Sequence, residues 1–477
     1  MQCISLFFTF ARMRLLLIAA LSICAMGIDY CIFLNIAKRT KPHPEKRWMK
    51  FLYAGYAFAV DIFIFAFISI AYRWPFYGPN SISPLPLWLA WLFFLNTLPK
   101  CAYFLLHIVS KCVGRGADER YGRWIRRIGI AFALYTAFIL LKGSLYNTRH
   151  FEIQEVSIES SKIPHAFNGY KIALFSDVHL GNLSRQESFL HQFVTEINSL
   201  EADLVLFAGD LVNMYAQEIT PEVAAILSQI RAPDGIFSVL GNHDMGAYIR
   251  QQHEVAAQKQ QREVVSEGVA HRQQREVAAR RQQREVVARQ QEMGWRVLQN
   301  ESVHIYRGGD SLGLCGVPYP PVPPLFSPSI SDYDPLLATR LLNPSGFNMM
   351  LCHTPKVWDT MQDTLTDWDT MQDSLKDWGT MQDTLTVWGT MQDSPALSRV
   401  VDLMLSGHTH AMQLKLKICR LKWSPAKWMY RNWSGLYERD GRYLYVNEGI
   451  GYVLYPMRIG GKPEITLLTL VTNNPSP

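Results

Sequence analysis

The chain has 477 residues, a formal net charge of +6 at pH 7 and eight cysteines. This length allows more than one domain. The excess of basic residues comes largely from loops between apolar segments near the N-terminus, so it does not indicate a nucleic-acid partner. The cysteines form no Cys-x-x-Cys pair and no other pairing pattern, which argues against a structural zinc site and a disulfide framework.

The first 149 residues contain four long apolar segments. They are about Leu15–Ile36, Phe51–Tyr72, Leu85–Val109 and Ile128–Leu145. Each has the roughly 20 residues that a helix needs to cross a bilayer. A cleaved signal peptide would explain only the first segment, and Met13 is an alternative start of the chain. We therefore expect residues 1–149 to form a transmembrane region of about four helices.

The charges of the connecting loops predict how this region is oriented. Basic residues are frequent in the loops 38–50 and 111–127, whereas the loop 73–84 carries a single arginine. The positive-inside rule places the two basic loops in the cytoplasm. We expect a multi-pass protein of the cell inner (cytoplasmic) membrane, with the C-terminal part of the chain on the extracytoplasmic side.

From residue 150 to residue 477 the pattern changes to short apolar runs separated by helical stretches. The runs are Lys171–Phe175, Leu204–Ala208, Ile236–Leu240, Phe347–Leu351 and Val401–Leu405. Continuous apolar runs are typical of strands that are covered on both faces. Helical stretches lie between them, for example Ser184–Leu200 and Thr220–Ile230. Alternating strands and helices predict an α/β domain.

Each apolar run is followed by polar residues that can bind a metal ion. The five motifs are Asp177-Val178-His179, Gly209-Asp210-Leu211-Val212-Asn213, Gly241-Asn242-His243-Asp244, His353 and Gly407-His408-Thr409-His410. A single Gly-Asp is often only a turn, because glycine allows positive φ and aspartate caps helices. Together the motifs supply carboxylate and imidazole ligands at strand ends, where side chains from several loops meet.

In this order, the five motifs resemble those of the calcineurin-like metallophosphoesterase family, of the membrane-anchored bacterial type. The resemblance covers about residues 150–477. It implies a four-layer α/β/β/α metallophosphoesterase sandwich, preceded by the four-helix transmembrane region. It also implies a hydrolase that cleaves phosphodiester, phosphomonoester or pyrophosphate bonds through a dinuclear centre of two divalent metal ions (Mn, Fe, Zn or Mg). The alternative is a non-catalytic membrane-bound scaffold on the same fold, but such scaffolds usually lose ligands.

The resemblance implies roles for nine residues. Asp210 would bridge two metal ions. The other ligands would divide between a first metal (Asp177, His179 and His410) and a second metal (Asn242, His353 and His408). His243 would be the catalytic residue that protonates the leaving oxygen, a role that suits imidazole. Arg458 would bind the substrate through a phosphate oxygen; the alternative is a surface arginine.

Three sites depart from the pattern of the family: Asn213, Glu448, and Ala411-Met412, which follows Gly-His-Thr-His where relatives often have Gly-Gly. Asn213 stands where many relatives carry aspartate, and we expect this to be a tolerated difference outside the ligand set. Glu448 stands where relatives often carry arginine, which affects substrate preference more than the metals. The membrane region makes a lipid or lipid-linked phosphate ester one candidate substrate, and a soluble ester the other. The sequence does not predict the oligomeric state.

Two repetitive insertions interrupt the domain, near residues 251–291 and 358–393. The first repeats Gln-Gln-(His/Arg)-Glu-Val from Gln251, Gln260, Gln273 and Gln282. A nine-residue step alternates faces of a helix, so we expect a solvated helix or extension without an apolar stripe. The second repeats a ten-residue unit from Trp358, Trp368, Trp378 and Trp388. We interpret it as tandem duplication in a loop; the alternative is a surface that binds lipid or glycan.

Overall fold

The structure is a computed structural model. It describes residues 26–34, 37–38, 46, 48–57, 59–60, 85–116, 119–183, 186–246, 267–320, 332–363, 399–418, 421–453 and 455–473. The chain forms two compact units. The first comprises Met1–Tyr146 with Leu454–Pro456, and the second comprises Asn147–Val453 with Met457–Pro477.

The first unit contains two long helices, α1 (Leu85–Gly116) and α2 (Glu119–Leu145). Two stretches are long and apolar enough to cross a membrane, Trp91–Cys112 and Arg120–Arg149. The described part of the chain thus shows two candidate spans rather than the predicted four. The first two predicted segments fall largely on residues 1–25 and 61–84, which lie outside the described residues.

An ion pair lies within this first unit. The Lys100 Nζ is 2.9 Å from Asp29 Oδ1, and the Tyr53 hydroxyl donates a hydrogen bond of 2.6 Å to the same carboxylate. Asp29 is buried. Charged side chains are costly in an apolar environment unless they are paired, so this contact ties α1 to the segment around residue 29.

The second unit is built on strands. In chain order they are β1 (Glu152–Ser160), β2 (Lys171–Phe175), β3 (Leu204–Phe207), β4 (Ile236–Ser238), β5 (Arg296–Val297), β6 (Glu301–Arg307), β7 (Asp310–Val317), β8 (Asn348–Cys352), β9 (Leu403–Ser406), β10 (Leu416–Ile418), β11 (Leu421–Trp423), β12 (Gly435–Arg439), β13 (Arg442–Val446) and β14 (Glu464–Thr472). The helices of this unit are α3 (Gln186–Ser199), α4 (Pro221–Leu227), α5 (Glu267–Glu292), α6 (Pro335–Thr339) and α7 (Lys356–Asp363).

Twelve of these strands form two six-stranded sheets. The first has the order β1-β14-β2-β3-β4-β5, and the second has the order β12-β13-β9-β8-β7-β6. Strands β2, β3 and β4 pair in parallel, and so do β7, β8, β9 and β13. Both sheets are mixed, because β14 and β2, β6 and β7, and β12 and β13 pair antiparallel. The predicted α/β organisation is confirmed.

The main hydrophobic core lies between residues of both sheets. Leu174 and Leu206 of the first sheet cluster with Leu314, Met349 and Leu405 of the second. Alternate residues of the second sheet belong to another cluster that includes residues of α6 and α7, among them Ala338 and Trp358. Side chains on successive strand positions point to opposite faces, so the continuous apolar runs bury both faces of each sheet.

The helix α5 corrects one expectation. Its second half is not solvated on all sides: a buried row runs along one face, formed by Ala279, Gln282, Val286, Gln290 and Met293. Spacings of three and four residues place this row on one side of a helix. The glutamines make the row invisible to an apolar pattern. They are buried because they form hydrogen bonds, Gln282 with the Ala216 amide and Gln290 with Ser238.

The tryptophan repeat is described only in its first copy. Trp358 belongs to α7 and is buried against the second sheet. The other three copies begin at Trp368, Trp378 and Trp388, which lie outside the described residues. The start of the first copy, Trp358 and Met361, therefore packs in the core of the domain.

Candidate metal centre

The five polar motifs meet because of the strand order. Strands β2, β3 and β4 are parallel neighbours, as are β8 and β9, and each is followed directly by one of the motifs. The carboxyl ends of parallel strands lie at one edge of a sheet. The structure brings possible ligand atoms to within 4.8 Å of one another in three overlapping groups: Asp177, His179 and His410; His179, Asp210 and His243; and Asp210, His353 and His408.

The first group is centred on Asp177, which is fully buried. Its Oδ1 lies 3.1 Å from His410 Nε2 and 3.7 Å from His179 Nε2. The two imidazoles also face each other, with 3.0 Å between their Nε2 atoms. The other carboxylate oxygen, Oδ2, accepts hydrogen bonds from the Ser176 hydroxyl at 2.5 Å and the His408 amide at 2.9 Å. One carboxylate oxygen is thus held by the protein, and the other faces imidazoles.

Asp210 belongs to both the second group and the third. Its Oδ2 is 3.0 Å from His353 Nε2 and 3.8 Å from His179 Nε2. The His408 Nδ1 is 3.1 Å from the same His353 nitrogen. Asn242, which precedes His243 in the chain, is also buried. The His243 amide donates a hydrogen bond of 2.8 Å to Asp210 Oδ1. One carboxylate therefore contacts His353 of the third group and His179 of the first two.

The donor set fits metal ions. Among the described residues, the buried atoms of the cluster that form no hydrogen bond include Asp177 Oδ1, His179 Nδ1 and His410 Nδ1. Buried polar atoms of this kind call for a partner such as an ion. The His353 Nδ1 donates a hydrogen bond of 2.7 Å to the Ala208 carbonyl, so Nε2 is the nitrogen that faces Asp210 and that a metal ion could bind once it has lost its proton. These clusters can hold metal ions of the kind that imidazole and carboxylate ligands bind.

The protonation states favour cation binding. Burial, and then the His243 imidazole, lower the pKa of His179 to about 3. Burial, together with His353, lowers the pKa of His408 to about 3. Burial would raise the pKa of Asp177, but the imidazoles of His410, His179 and His353 outweigh it and hold that pKa well below its usual value. Neutral imidazoles and a charged carboxylate are the forms that bind metals.

His353 carries a proton that a cation would replace. Burial lowers its pKa, but the carboxylates of Asp210 and Asp177 outweigh burial and raise the pKa to about 9. A positive charge is thus favoured at the position between the two carboxylates. A metal ion would supply that charge while it releases the proton.

The backbone at the cluster is strained. Five of the motif residues have positive φ, although none is glycine: Asp177, His179, Asp210, His408 and His410. Left-handed backbone at non-glycine residues is costly and concentrates at functional sites. The neighbouring glycines allow close approach, because a Cβ at Gly241 would clash with the Asp210 carboxylate and a Cβ at Gly407 with that of Asp177.

His243 is oriented by the main chain. Its Nδ1 lies 2.5 Å from the Asn213 carbonyl oxygen, which can only accept, so Nδ1 carries a proton. The ring lies edge-on to that of His179, with 4.5 Å between centroids. Burial lowers the pKa of His243, and the Asp210 carboxylate opposes that shift. Nε2 is therefore the nitrogen that can gain and lose a proton.

Two carboxylates that carry no predicted role hold the ligand loops. Asp244 accepts hydrogen bonds from the amides of Asp210, Leu211, Val212 and Gly241, at 2.7–3.1 Å. Glu218 accepts from the amides of Gly181, Asn213, Met214 and Tyr215, at 2.5–3.0 Å. Asp244 belongs to the Gly-Asn-His-Asp motif, so the sequence could have indicated its role. Glu218 lies in no motif, and its contacts depend on the folded loops.

Tyr430 and Asn447 reach the cluster from distant parts of the chain. The Tyr430 hydroxyl lies 2.8 Å from His408 Nε2. The Asn447 Oδ1 lies 2.9 Å from the Ser176 hydroxyl, whose single proton it shares with Asp177. Neither residue follows a metal-binding pattern in the sequence. Both fix a neighbour of the cluster rather than supply a further carboxylate or imidazole.

Arg458 is placed differently from the predicted phosphate contact. It is buried, and its guanidinium donates to the main-chain carbonyls of Glu448, Gly449 and Gly451 at 2.5–3.0 Å. These carbonyls belong to the loop whose Gly451 amide donates to Asp177 O. This geometry favours a role in holding the loop over direct contact with a phosphate oxygen.

Comparison with known proteins identifies relatives of the chain. The family model for calcineurin-like phosphoesterase matches residues 170–412, half of the chain. The uncharacterized metallophosphoesterase YkuE of Bacillus subtilis is 27% identical over 324 residues, which cover 68% of this chain and 86% of that protein. A transmembrane protein with metallophosphoesterase domain from Danio rerio is 24% identical, over 82% of this chain and 72% of its own length.

A third relative matches only a short stretch. The UDP-2,3-diacylglucosamine pyrophosphatase LpxG of Chlamydia muridarum is 33% identical over 91 residues, 18% of this chain and 27% of that protein. The transmembrane relative and the two apolar helices indicate membrane association. With half of its length matched by the family model, the chain belongs to the calcineurin-like phosphoesterase family and is a hydrolase.

Proposed function

We propose that the protein is a membrane-anchored, metal-dependent phosphoesterase that hydrolyses phosphodiester, phosphomonoester or pyrophosphate bonds through a dinuclear centre. The observation that carries this proposal is the position of Asp210, whose Oδ2 contacts both His353 at 3.0 Å and His179 at 3.8 Å. A carboxylate shared by two groups of ligands offsets the charges of two nearby cations. A single structural ion would need only one such group.

The proposed ligands would form two sets, one for each metal ion. Asp210 would bridge the ions. The proposed first metal has Asp177, His179 and His410, and the proposed second metal has Asn242, His353 and His408. When bound, two divalent cations (Mn, Fe, Zn or Mg) supply Lewis-acid stabilisation of the phosphoryl oxygens and lower the pKa of a nucleophilic water. The protein's own part is to fix the ligands, through Asp244, Ser176 and Tyr430.

His243 is the proposed general acid. With Nδ1 engaged by the Asn213 carbonyl, Nε2 would give its proton to the leaving oxygen as the bond between phosphorus and that oxygen breaks. The nearby Asp210 carboxylate favours the protonated ring, and burial opposes it. Arg458 would act through the loop that it holds, rather than on the substrate.

The proposed substrate is a membrane lipid or a lipid-linked phosphate ester. Two observations support it: the apolar helices of this chain, and the short match to a relative whose name gives a diacylated sugar nucleotide as substrate. A soluble ester hydrolysed by a tethered enzyme is the competing choice. Activity that depends on acyl-chain length, measured on otherwise identical esters, would separate the two.

We further propose the organisation of the whole chain. Residues 1–149 form a multi-pass region of about four helices in the cell inner membrane. Residues 150–477 form an extracytoplasmic catalytic domain with the four-layer α/β/β/α sandwich, interrupted by the insertions near 251–291 and 358–393. The basic loops 38–50 and 111–127 support this orientation. Reporter enzymes that are active only outside the cytoplasm should work when fused after residue 149, and fail when fused within 38–50.

A non-catalytic scaffold is the second candidate. The complete ligand set favours the enzyme, because a scaffold has no need for strained backbone at five ligand positions. The test is hydrolysis of a chromogenic phosphodiester and a chromogenic monoester by the purified full chain, with Mn²⁺, Zn²⁺ or no added metal, beside Asp210→Asn. Metal-dependent turnover that the variant abolishes supports the enzyme. Folded, metal-loaded protein that turns over neither these esters nor a lipid ester would establish the scaffold.

A further inference from the structure

The segment 411–433, which follows the Gly-His-Thr-His motif, has an unusual composition. We call it the hairpin segment, because it contains the two-stranded sheet of β10 and β11. It has no acidic residue and six basic ones: Lys415, Lys417, Arg420, Lys422, Lys427 and Arg431. Such a segment attracts anionic surfaces.

The hairpin segment also exposes large apolar side chains. Trp428 is 77% exposed and Met429 is 53% exposed, and Leu416 and Met412 are exposed as well. Trp428 stands edge-on to Trp423, with 5.7 Å between ring centroids. Single exposed apolar residues are common on proteins, but a group that includes tryptophan and methionine marks an interaction surface.

The buried part of the hairpin segment supports these exposed side chains. Beneath them Ala411, Ala426 and Trp433 form a small buried cluster. The Ser424 hydroxyl donates 2.6 Å to the Ala411 carbonyl, and Thr409, within the metal-binding motif, donates 2.6 Å to the Trp433 carbonyl. The exposed group is thus held in place by the buried side of the same segment, and it is connected to the metal centre.

The cations of the segment differ in what they contact. Lys415 pairs with Glu448 at 2.7 Å, and Lys422 donates to Ser434. Lys417 and Lys427 are exposed, and no ion pair in the described ranges of the chain involves either of them. Lysine beside tryptophan and aliphatic residues is the composition of protein surfaces that lie in the headgroup region of a membrane.

We propose that the hairpin segment docks on an anionic lipid bilayer. Trp428, Met429 and Leu416 would enter the headgroup boundary, and Lys417 and Lys427 would contact lipid phosphates. Two helices of the chain are long and apolar enough to hold the protein at a bilayer. A nucleic acid fits less well, because methionine and leucine offer no ring on which bases stack. The proposal goes beyond hydrolysis and holds whichever ester the centre cleaves.

Docking would bring the bilayer surface close to the candidate metal centre. The same segment supplies Tyr430, whose hydroxyl touches His408. A lipid headgroup held by the hairpin segment would therefore lie next to the ligand cluster. An ester in the bilayer would then react faster than a dissolved ester, because the docked surface holds its phosphate near the cluster.

The test is hydrogen–deuterium exchange of the full chain in nanodiscs. One set contains phosphatidylcholine alone, and the other also contains phosphatidylglycerol. We expect the amides of residues 426–431 to exchange several-fold more slowly with phosphatidylglycerol, and the protection to decrease in high salt, which screens charge. Trp428→Ser with Met429→Ser should remove the protection, whereas Leu341→Ser, at a residue 74% exposed elsewhere in the domain, should not.

The opposite results would overturn the proposal. Equal exchange in both kinds of nanodisc, or the same protection in the double variant, would show that the segment does not meet the bilayer. Protection of the same amides by single-stranded RNA in detergent, without lipid, would assign the surface to nucleic acid instead. Because exchange is read without any substrate, a failure of the phosphoesterase proposal would leave this result intact.

Discussion

The Tyr430 hydroxyl lies 2.8 Å from His408 Nε2, while the other nitrogen of that ring, Nδ1, lies 3.1 Å from His353 Nε2. Tyr430, 22 positions further along the chain, thus sets which nitrogen of the imidazole points into the cluster. Partners of this kind fix the ring orientation and tune the ligand. Burial, and then the Asp177 carboxylate, raises the pKa of Tyr430 to about 12, so it stays a neutral hydroxyl near His408.

We therefore expect Tyr430→Phe to weaken metal binding about 10–100-fold, the range seen for lost outer partners of metal ligands. The measurement is a metal titration followed by elemental analysis, with activity at saturating metal as a second readout. Tyr306→Phe, at an exposed tyrosine of β6, is the control. Unchanged metal affinity in Tyr430→Phe would contradict a positioning role.

His243→Ala separates proton transfer from metal binding. The variant should keep its metals, because His243 is not among the proposed ligands, and it should lose about 100–10,000-fold in kcat. The loss should be greatest for esters with poor leaving groups, since these need the proton most. Elemental analysis and a series of aryl esters of differing leaving-group pKa are the measurements. Metal loss in the variant would identify His243 as a ligand.

Glu464 predicts a pH dependence of stability. Burial, and then the Glu448 carboxylate, raises its pKa from 4.5 to about 7. The folded protein binds this proton more tightly than the unfolded chain, so the contribution to stability is complete below pH 4.5 and is lost as pH rises to about 7. The contribution is about 3 kcal/mol at most. Glu464→Gln should flatten this part of the Tm–pH profile; an unchanged profile would place the titration elsewhere.

The ion pair of Asp29 and Lys100 predicts the stability of the first unit. Lys100→Met should destabilise the protein by about 3 kcal/mol, because it leaves a buried carboxylate unpaired. Adding Asp29→Asn should restore most of the loss, since the charge is then gone. Thermal unfolding of the full chain in detergent measures both. If the double variant is as unstable as Lys100→Met, the two residues are not coupled.

Much of the candidate site was predictable because its proposed ligands are local. Each lies within a few residues of an apolar strand, and Lys171–Phe175 forms β2 as predicted. The partners of the ligands were not predictable in this way. Glu218 and Tyr430 gain their roles only when loops from separate strands meet, and no spacing in the sequence records that meeting. The same applies to Arg458, whose main-chain contacts form only in the folded loop.

The helix α5 shows a different limit. Hydrophobic periodicity identifies a buried face only when the face is apolar. Here Gln282 and Gln290 occupy buried positions, because the Ala216 amide and the Ser238 hydroxyl donate hydrogen bonds to their side-chain oxygens. A pattern of polar residues therefore contained a packed helix. The individual contacts, rather than the average hydropathy, decide which side of the helix faces the domain.

This packing limits how the repeat can change in evolution. Another nine-residue copy inserted after Ala279 would turn the rest of the helix by about half a rotation. Gln282 and Gln290 would then face water, and charged residues would face the domain. A copy gained or lost before Ala279 leaves that register untouched. The number of copies is therefore free to drift at the N-terminal end of the insertion, and the C-terminal end is held constant by the domain.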